Sequence, residues 1–120
     1  MATYNKLTLS ASTDGRPIRI ANTATAGTTI HTASSNTSIY HEIWLYAQNT
    51  DTTNRKLTVE FGGVTAPDDL IELTVSAEAG LTLVVPGIPL KGNATPLVVR
   101  AFAATANVIT ISGYVNEIVN

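Results

Sequence analysis

Short runs of alternating apolar and polar residues, separated by turn-forming residues, extend along most of this chain. The clearest runs are Leu57 to Phe61, Ile71 to Val75 and Leu81 to Val85, in which every second residue is a large apolar one. Because successive side chains of a β-strand point to opposite faces, this alternation predicts half-buried strands. No window shows the 3.6-residue period of an amphipathic helix. The pattern therefore predicts an all-β chain.

The C-terminal part repeats this pattern as the strand LTLVV, the loop PGIPLKGNATP, the strand LVVRAFA, the turn ATAN and the strand VITISGYVNEI. Pro86 is expected to end its strand, because proline has no amide hydrogen for a ladder bond. With Ile18–Ile20, Thr28–Thr32 and Ile39–Asn49, the total is about eight strands at roughly ten-residue spacing. This spacing predicts an antiparallel β-sandwich of jelly-roll type, with an up-and-down barrel as the alternative.

The chain length of 120 residues suits one domain with its own core. Residues 1–14 are predicted to form an N-terminal arm or edge strand, in which Leu7, Leu9 and Ala11 alternate with polar residues. Asp14-Gly15 then supplies a turn. Residues 15–120 are predicted to form a single β-sandwich domain, since no linker is long enough to divide them.

The longest predicted strand, Ile39–Asn49, is apolar on one face and aromatic on the other. The first face carries Ile39, His41, Ile43, Leu45 and Ala47. The second carries Tyr40, Trp44 and Tyr46 beside Glu42 and Gln48. A strand with one side in water would show polar residues on that side, so we expect both sides to be covered. A loop or the N-terminal arm, a neighbouring subunit, or sugar rings could supply the second cover. Tyr40, Trp44 and Tyr46 are therefore the candidate subunit or partner interface.

The chain carries few charges, with 13% charged against 44% hydrophobic residues and a net charge of −2. Its 19 threonines suit half-exposed strands, because the branched side chain fits the pleated surface. The basic residues are scattered, so no stripe is present that a phosphate backbone could follow, and we expect no nucleic-acid partner. A surface with little charge favours self-association, which indicates an oligomer.

Sequence motifs for catalysis are missing. There are no cysteines, so thiolate zinc sites and disulfides are excluded. Neither a G-x-S-x-G elbow nor an S-x-x-K motif is present, and the glycines lie where strands end. His31 and His41 lie in no local motif and are expected to be strand histidines with satisfied hydrogen bonds.

Two acidic pairs are the remaining candidates for chemistry. Asp68-Asp69 is flanked by Pro67 and Leu70, which supply no side-chain oxygens for a calcium site. Glu60 and Glu72 could face each other as in a glycosidase, but the alternation places both on a solvated surface. We therefore expect no enzymatic activity, no cofactor and no metal.

Several segments together resemble small virion proteins of tailed bacteriophages, in particular the jelly-roll head decoration, or cement, proteins. These segments are HEIWLYAQNT, LTVEFGG, VVPGIPLKG and LVVRAFAATANVITISGYVNEI, so the likeness covers about Ile39 to Ile118. The resemblance implies a homotrimer that binds the major capsid protein on the outside of the phage head. There it would clamp neighbouring capsomers against the pressure of packaged DNA, with residues 1–14 as an arm on the shell.

The same resemblance implies synthesis in the host cytoplasm and location on the virion exterior. The first dozen residues lack the features of a signal peptide, and no apolar run reaches the roughly 18 residues that span a bilayer, so we expect no membrane partner. Two alternative functions stay open. One is a phage tail, fibre or baseplate module, and the other is a carbohydrate-binding β-sandwich.

Overall fold

A computed structural model describes residues 2–120 as nine strands and no helices. The strands are β1 Thr3–Thr8, β2 Ile18–Arg19, β3 Thr28–Thr32, β4 Ile39–Asn49, β5 Arg55–Phe61, β6 Leu70–Val75, β7 Thr82–Lys91, β8 Val98–Ala103 and β9 Ile109–Val119. Within these residues no helix is long and apolar enough to cross a membrane. The predicted all-β class is confirmed.

The strands form two antiparallel sheets, so the sandwich prediction is confirmed and the barrel alternative is wrong. The larger sheet has the order β1-β9-β4-β7, with the short β2 also paired to β9. The smaller sheet has the order β3-β8-β5-β6. Apart from the β5–β6 hairpin, each connection from β3 onward passes from one sheet to the other. This alternation gives the fold its jelly-roll-like character.

The core lies between the two sheets and consists of the inward side chains of strands from both. Its fully buried apolar members include Ile43, Leu45, Leu57, Val59, Val85, Val99, Ala101, Ile109, Ile111 and Val115. The alternation of β4 and β9 places their apolar positions on this inner face, as the sequence pattern predicted.

The N-terminal segment contributes an edge strand to the larger sheet. Thr3–Thr8 pairs with β9 over six positions, from Thr3 opposite Val119 to Thr8 opposite Tyr114. Leu9, which follows this strand, is 1% exposed and packs in the core. Asp14 and Gly15 form the predicted turn, with φ of 54° and 84°. Met1, the first residue of the predicted arm, lies outside the described residues.

The prediction that Pro86 ends its strand is wrong. β7 continues to Lys91, with Pro86 opposite Trp44 and Pro89 opposite Glu42. β7 is an edge strand that pairs only with β4, and the register shifts near Trp44. Because proline is tolerated on edge strands and at bulges, the ladder passes it without losing its pairing.

Candidate functional site

All four tyrosines and the one tryptophan of the chain lie on the outward face of the larger sheet. The β1–β9–β4 register places Tyr4, Ile118 and Tyr40 in one row across the sheet, and it places Tyr114 beside Trp44. Tyr46 follows on the same side of β4. We call this outward side of the sheet, with Tyr4, Tyr40, Trp44, Tyr46 and Tyr114, the aromatic face.

Trp44 occupies the centre of the aromatic face and contacts both neighbouring strands. Its ring is nearly parallel to that of Tyr114, with 13° between the planes and 6.0 Å between the centroids. On the other side it lies against Gly87, where a side-chain carbon would come within 2.7 Å of the indole. The ammonium of Lys6 lies 4.6 Å from the Tyr114 ring centroid, within cation–π range. These contacts hold the two rings in place.

A carboxylate lies beside the central rings. Glu42 Oε1 accepts hydrogen bonds from Trp44 Nε1 at 2.8 Å and from Asn116 Nδ2 at 2.9 Å. The bond from Asn116, followed by that from Trp44, holds the pKa of Glu42 below its ordinary value, because both donors stabilise the ionised form. Glu42 therefore places a negative charge beside the aromatic rings of this face.

The three predicted interface residues, Tyr40, Trp44 and Tyr46, are all partly exposed on this face. The alternative in which a loop or the N-terminal arm of the same chain covers them is wrong for the described residues. β1 lies beside β9 in the plane of the sheet, and every outward side chain of β4 keeps partial contact with solvent. Cover of the aromatic face by a second molecule stays a prediction.

Sequence reasoning missed two members of the aromatic face, Tyr4 and Tyr114. Tyr4 is 70% exposed at the sheet edge, and Tyr114 lies directly opposite Trp44. The sequence alone shows which face of its own strand each tyrosine occupies. Their side-by-side placement depends on the pairing of β9 with both β1 and β4, for which no local signal exists.

A second cluster of polar side chains lies inside the sandwich. His31 Nε2 is 2.8 Å from His41 Nδ1, and His41 Nε2 is 3.0 Å from Glu117 Oε2. The amide of Ser10 donates to His31 Nδ1 at 3.0 Å. Both histidines are thus strand residues with satisfied hydrogen bonds, as predicted. No local sequence pattern indicates that they bond to each other.

The interpretation of Glu60 as a solvated surface residue is wrong. Glu60 is 0% exposed, because the loop between β2 and β3 covers it. Its carboxylate accepts hydrogen bonds from the Gly27 amide at 2.7 Å and from the Thr25 hydroxyl. Glu72 lies opposite Thr58 and pairs with Lys56 at 3.1 Å on the surface. The two carboxylates are therefore in different environments.

The structure places the remaining candidates in ordinary structural roles. Asp69 accepts a hydrogen bond from the Thr65 amide at 3.0 Å within its turn. Within residues 2–120, no group of three or more histidine or acidic side chains is arranged to hold a metal ion. An open depression of about 340 Å³ near the end of β4 is lined by Gln48, Asn49, Thr50, Glu78 and Gly80.

Comparison with protein-family models, with curated proteins and with solved structures finds no match to this chain. The aromatic face is therefore interpreted from its own geometry and chemistry.

Proposed function

We propose that this protein is a structural subunit of a phage particle, a capsid decoration protein that associates with copies of itself and with the major capsid protein. The aromatic face carries this proposal. Tyrosine and tryptophan are enriched at the cores of protein interfaces, where charged residues are depleted. Here all five such residues of the chain lie on one outward sheet face, and the chain as a whole is 13% charged.

The dimensions of the aromatic face suit an interface. Strands of 6, 11, 11 and 10 residues, rising about 3.4 Å per residue and lying about 4.8 Å apart, give a surface of roughly 600 Å². A stable protein interface of standard size buries about 600–1,000 Å² on each partner. Leu83, which is 47% exposed and lies opposite Tyr46, extends the apolar part of the surface to the β7 edge.

The jelly-roll-like sandwich and the sequence resemblance favour a virion role among the possible assemblies. This support is by analogy, because one fold serves many functions. In a homotrimer the contacts are heterologous, so the aromatic face of one subunit would meet a different surface of the next. In the assembled particle it would be covered by a neighbouring subunit or by the capsid protein.

Sedimentation velocity at micromolar concentration tests the self-association. A mass close to three times 12.6 kDa is expected for the wild type, and Tyr46→Ser is expected to shift it towards the monomer. Val64→Ser is the matched control, because Val64 is 44% exposed but lies outside the aromatic face, in the β5–β6 connection. A wild-type monomer that also fails to co-sediment with capsids encoded by the same genome would contradict the proposal.

Carbohydrate binding is the second candidate, favoured by the arrangement at the centre of the face. The nearly parallel rings of Trp44 and Tyr114 offer an apolar surface on which a sugar ring could stack. Glu42 and Asn116 lie beside these rings and could form hydrogen bonds with the hydroxyl groups of the sugar. A glycan array would test this. Binding that is lost in Trp44→Ala, with the protein still folded and monomeric, would favour this candidate over assembly.

A further inference from the structure

The hydrogen bonds through His31 and His41 determine where each imidazole carries its proton. A backbone amide can only donate, so the Ser10 amide requires His31 Nδ1 to be an acceptor. The proton of neutral His31 is then on Nε2 and is donated to His41 Nδ1. His41 in turn carries its proton on Nε2 and donates it to the Glu117 carboxylate. The whole chain is satisfied when both rings are neutral.

A further proton on either ring makes two donors face each other. Protonated His31 would direct a new N–H from Nδ1 at the Ser10 amide. Protonated His41 would direct an N–H at His31 Nε2, and His31 could accept it only by moving its own proton to Nδ1, again opposite Ser10. Because an imidazolium has no acceptor, protonation of His31 breaks the Ser10–His31 hydrogen bond, and protonation of His41 breaks either that bond or the one between the two rings.

The Ser10–His31 hydrogen bond joins the two sheets. Ser10 follows β1 of the larger sheet, whereas His31 lies on β3 at the edge of the smaller one. Two more hydrogen bonds make the same connection, from the Thr32 amide to Ser10 Oγ at 2.7 Å and from the Ala11 amide to the Ile30 carbonyl at 3.2 Å. Most side chains of β1 itself are exposed, so this junction anchors a strand with little packing of its own.

We propose that His31 and His41 form an acid-sensitive latch that holds the N-terminal edge strand on the sandwich at neutral pH and loosens it on acidification. Among the side chains of residues 2–120, Glu117 on β9 is the ionisable group that contacts the pair. β8 places Val99 opposite His31, and β7 places Leu90 opposite His41. This latch is independent of the proposed particle function.

The electrostatic environment of His31 also opposes its protonation while the latch is closed. Burial, and secondarily the charge of His41, lower the pKa of His31 from 6.5 to about 4. His31 is therefore protonated less readily in the closed latch than in the open one. Linkage then weakens closure progressively below about pH 6.5, by roughly 20-fold between pH 7 and pH 5.

Amide hydrogen exchange followed by NMR on the full chain tests the latch. The intrinsic exchange rate at the same pH is divided by each measured rate to give a protection factor. Between pH 7 and pH 5, protection at Ser10 and at the β1 amides is expected to fall at least fivefold and to stay well below that of Leu45 in the centre of β4 at both pH values, because the latch opens without unfolding of the sandwich. A smaller fall in β1, or β1 protection equal to that of Leu45, would overturn the proposal.

Two variants assign the effect to the histidines. His31→Asn retains a side-chain acceptor near Ser10 but cannot be protonated, and its β1 protection is expected to be independent of pH over this range. Glu117→Gln removes the neighbouring carboxyl titration, and it is expected to retain the acid effect. Loss of the effect in Glu117→Gln would show that the carboxyl group, and not the histidine pair, is responsible.

A measurement on the wild type keeps the test valid if His31→Asn does not fold. The imidazole ¹⁵N shifts at pH 7 are expected to show both rings protonated at Nε2 and bare at Nδ1. A proton on Nδ1 of either ring would overturn the latch.

Discussion

The indole of Trp44 lies directly against Gly87 of the neighbouring strand, where an added Cβ would be 2.7 Å from the ring carbons Cε2 and Cζ2. Gly87 also has a φ of 74°, which side-chain-bearing residues rarely adopt. This one glycine therefore serves two purposes. It allows the β7 backbone to turn beside Pro86, and it leaves room for the central ring of the aromatic face.

Gly87→Ala is expected to displace Trp44 and to lower the free energy of unfolding by about 2–3 kcal/mol, from backbone strain and overpacking together. Urea unfolding measures the stability, and the fluorescence of the only tryptophan reports the ring's surroundings. Gly80→Ala is the matched control. Gly80 has a similar φ of 75° but no atom within 4 Å of the new Cβ, so it should show the backbone cost alone. Equal losses in both variants would contradict the steric role of Gly87.

Glu60→Ala is expected to destabilise the protein by about 3 kcal/mol, because it leaves the buried Gly27 amide, and also the hydroxyl of the more exposed Thr25, without their acceptor. Glu60→Gln keeps an acceptor oxygen and should cost less. Glu72→Ala is the control, since Glu72 forms a surface ion pair with Lys56, of a kind that contributes about 0–1 kcal/mol, and accepts a long hydrogen bond of 3.4 Å from the Thr58 hydroxyl. Equilibrium urea unfolding of the three variants measures the differences. A loss in Glu60→Ala no larger than in Glu72→Ala would mean that Glu60 does not anchor the loop.

Acidification is expected to reduce stability through His31. Its pKa in the folded protein, about 4, lies below the unfolded value of 6.5, so the unfolded state binds more protons between these limits. The contribution of His31 is complete above about pH 6.5 and is lost as the pH falls towards 4. The loss amounts to about 3 kcal/mol at most. The difference in unfolding free energy between wild type and His31→Asn, measured from pH 7 to pH 4, isolates it. A pH-independent difference would contradict this prediction.

Asn49→Ala is expected to cost about 2–3 kcal/mol. The Asn49 amide is fully buried and donates to the Thr53 and Val75 carbonyls at 2.9 and 3.0 Å, while its Oδ1 accepts from the Asp51 amide at 2.9 Å. Its removal leaves the buried Val75 carbonyl, the Thr53 carbonyl and the Asp51 amide without these partners where β4 leads into β5. Asn54→Ala, at an exposed position of the same turn, should cost less than 1 kcal/mol. Thermal unfolding of both variants compares them, and similar melting temperatures would exclude the proposed role of Asn49.

Local pattern predicted most of the strands because alternation is a property of neighbouring residues. Ile39–Asn49 and Thr28–Thr32 have the bounds that the sequence indicated. The error at Pro86 arose because proline's effect depends on whether a strand is central or at an edge, and strand order is not a local property.

The sequence by itself determined the all-β class, the single apolar face of β4 and the aromatic character of its other face, since these follow from the two-residue period of a strand. Only the tertiary structure decided which distant residues meet. Tyr114 reaches Trp44 across a separation of 70 residues, His31 meets His41 between strands of different sheets, and the loop that buries Glu60 comes from an earlier part of the chain. These contacts result from strand order and sheet packing, which minimise the exposed apolar surface of the whole chain. Neither can be recognised from the residues at any one position of the sequence.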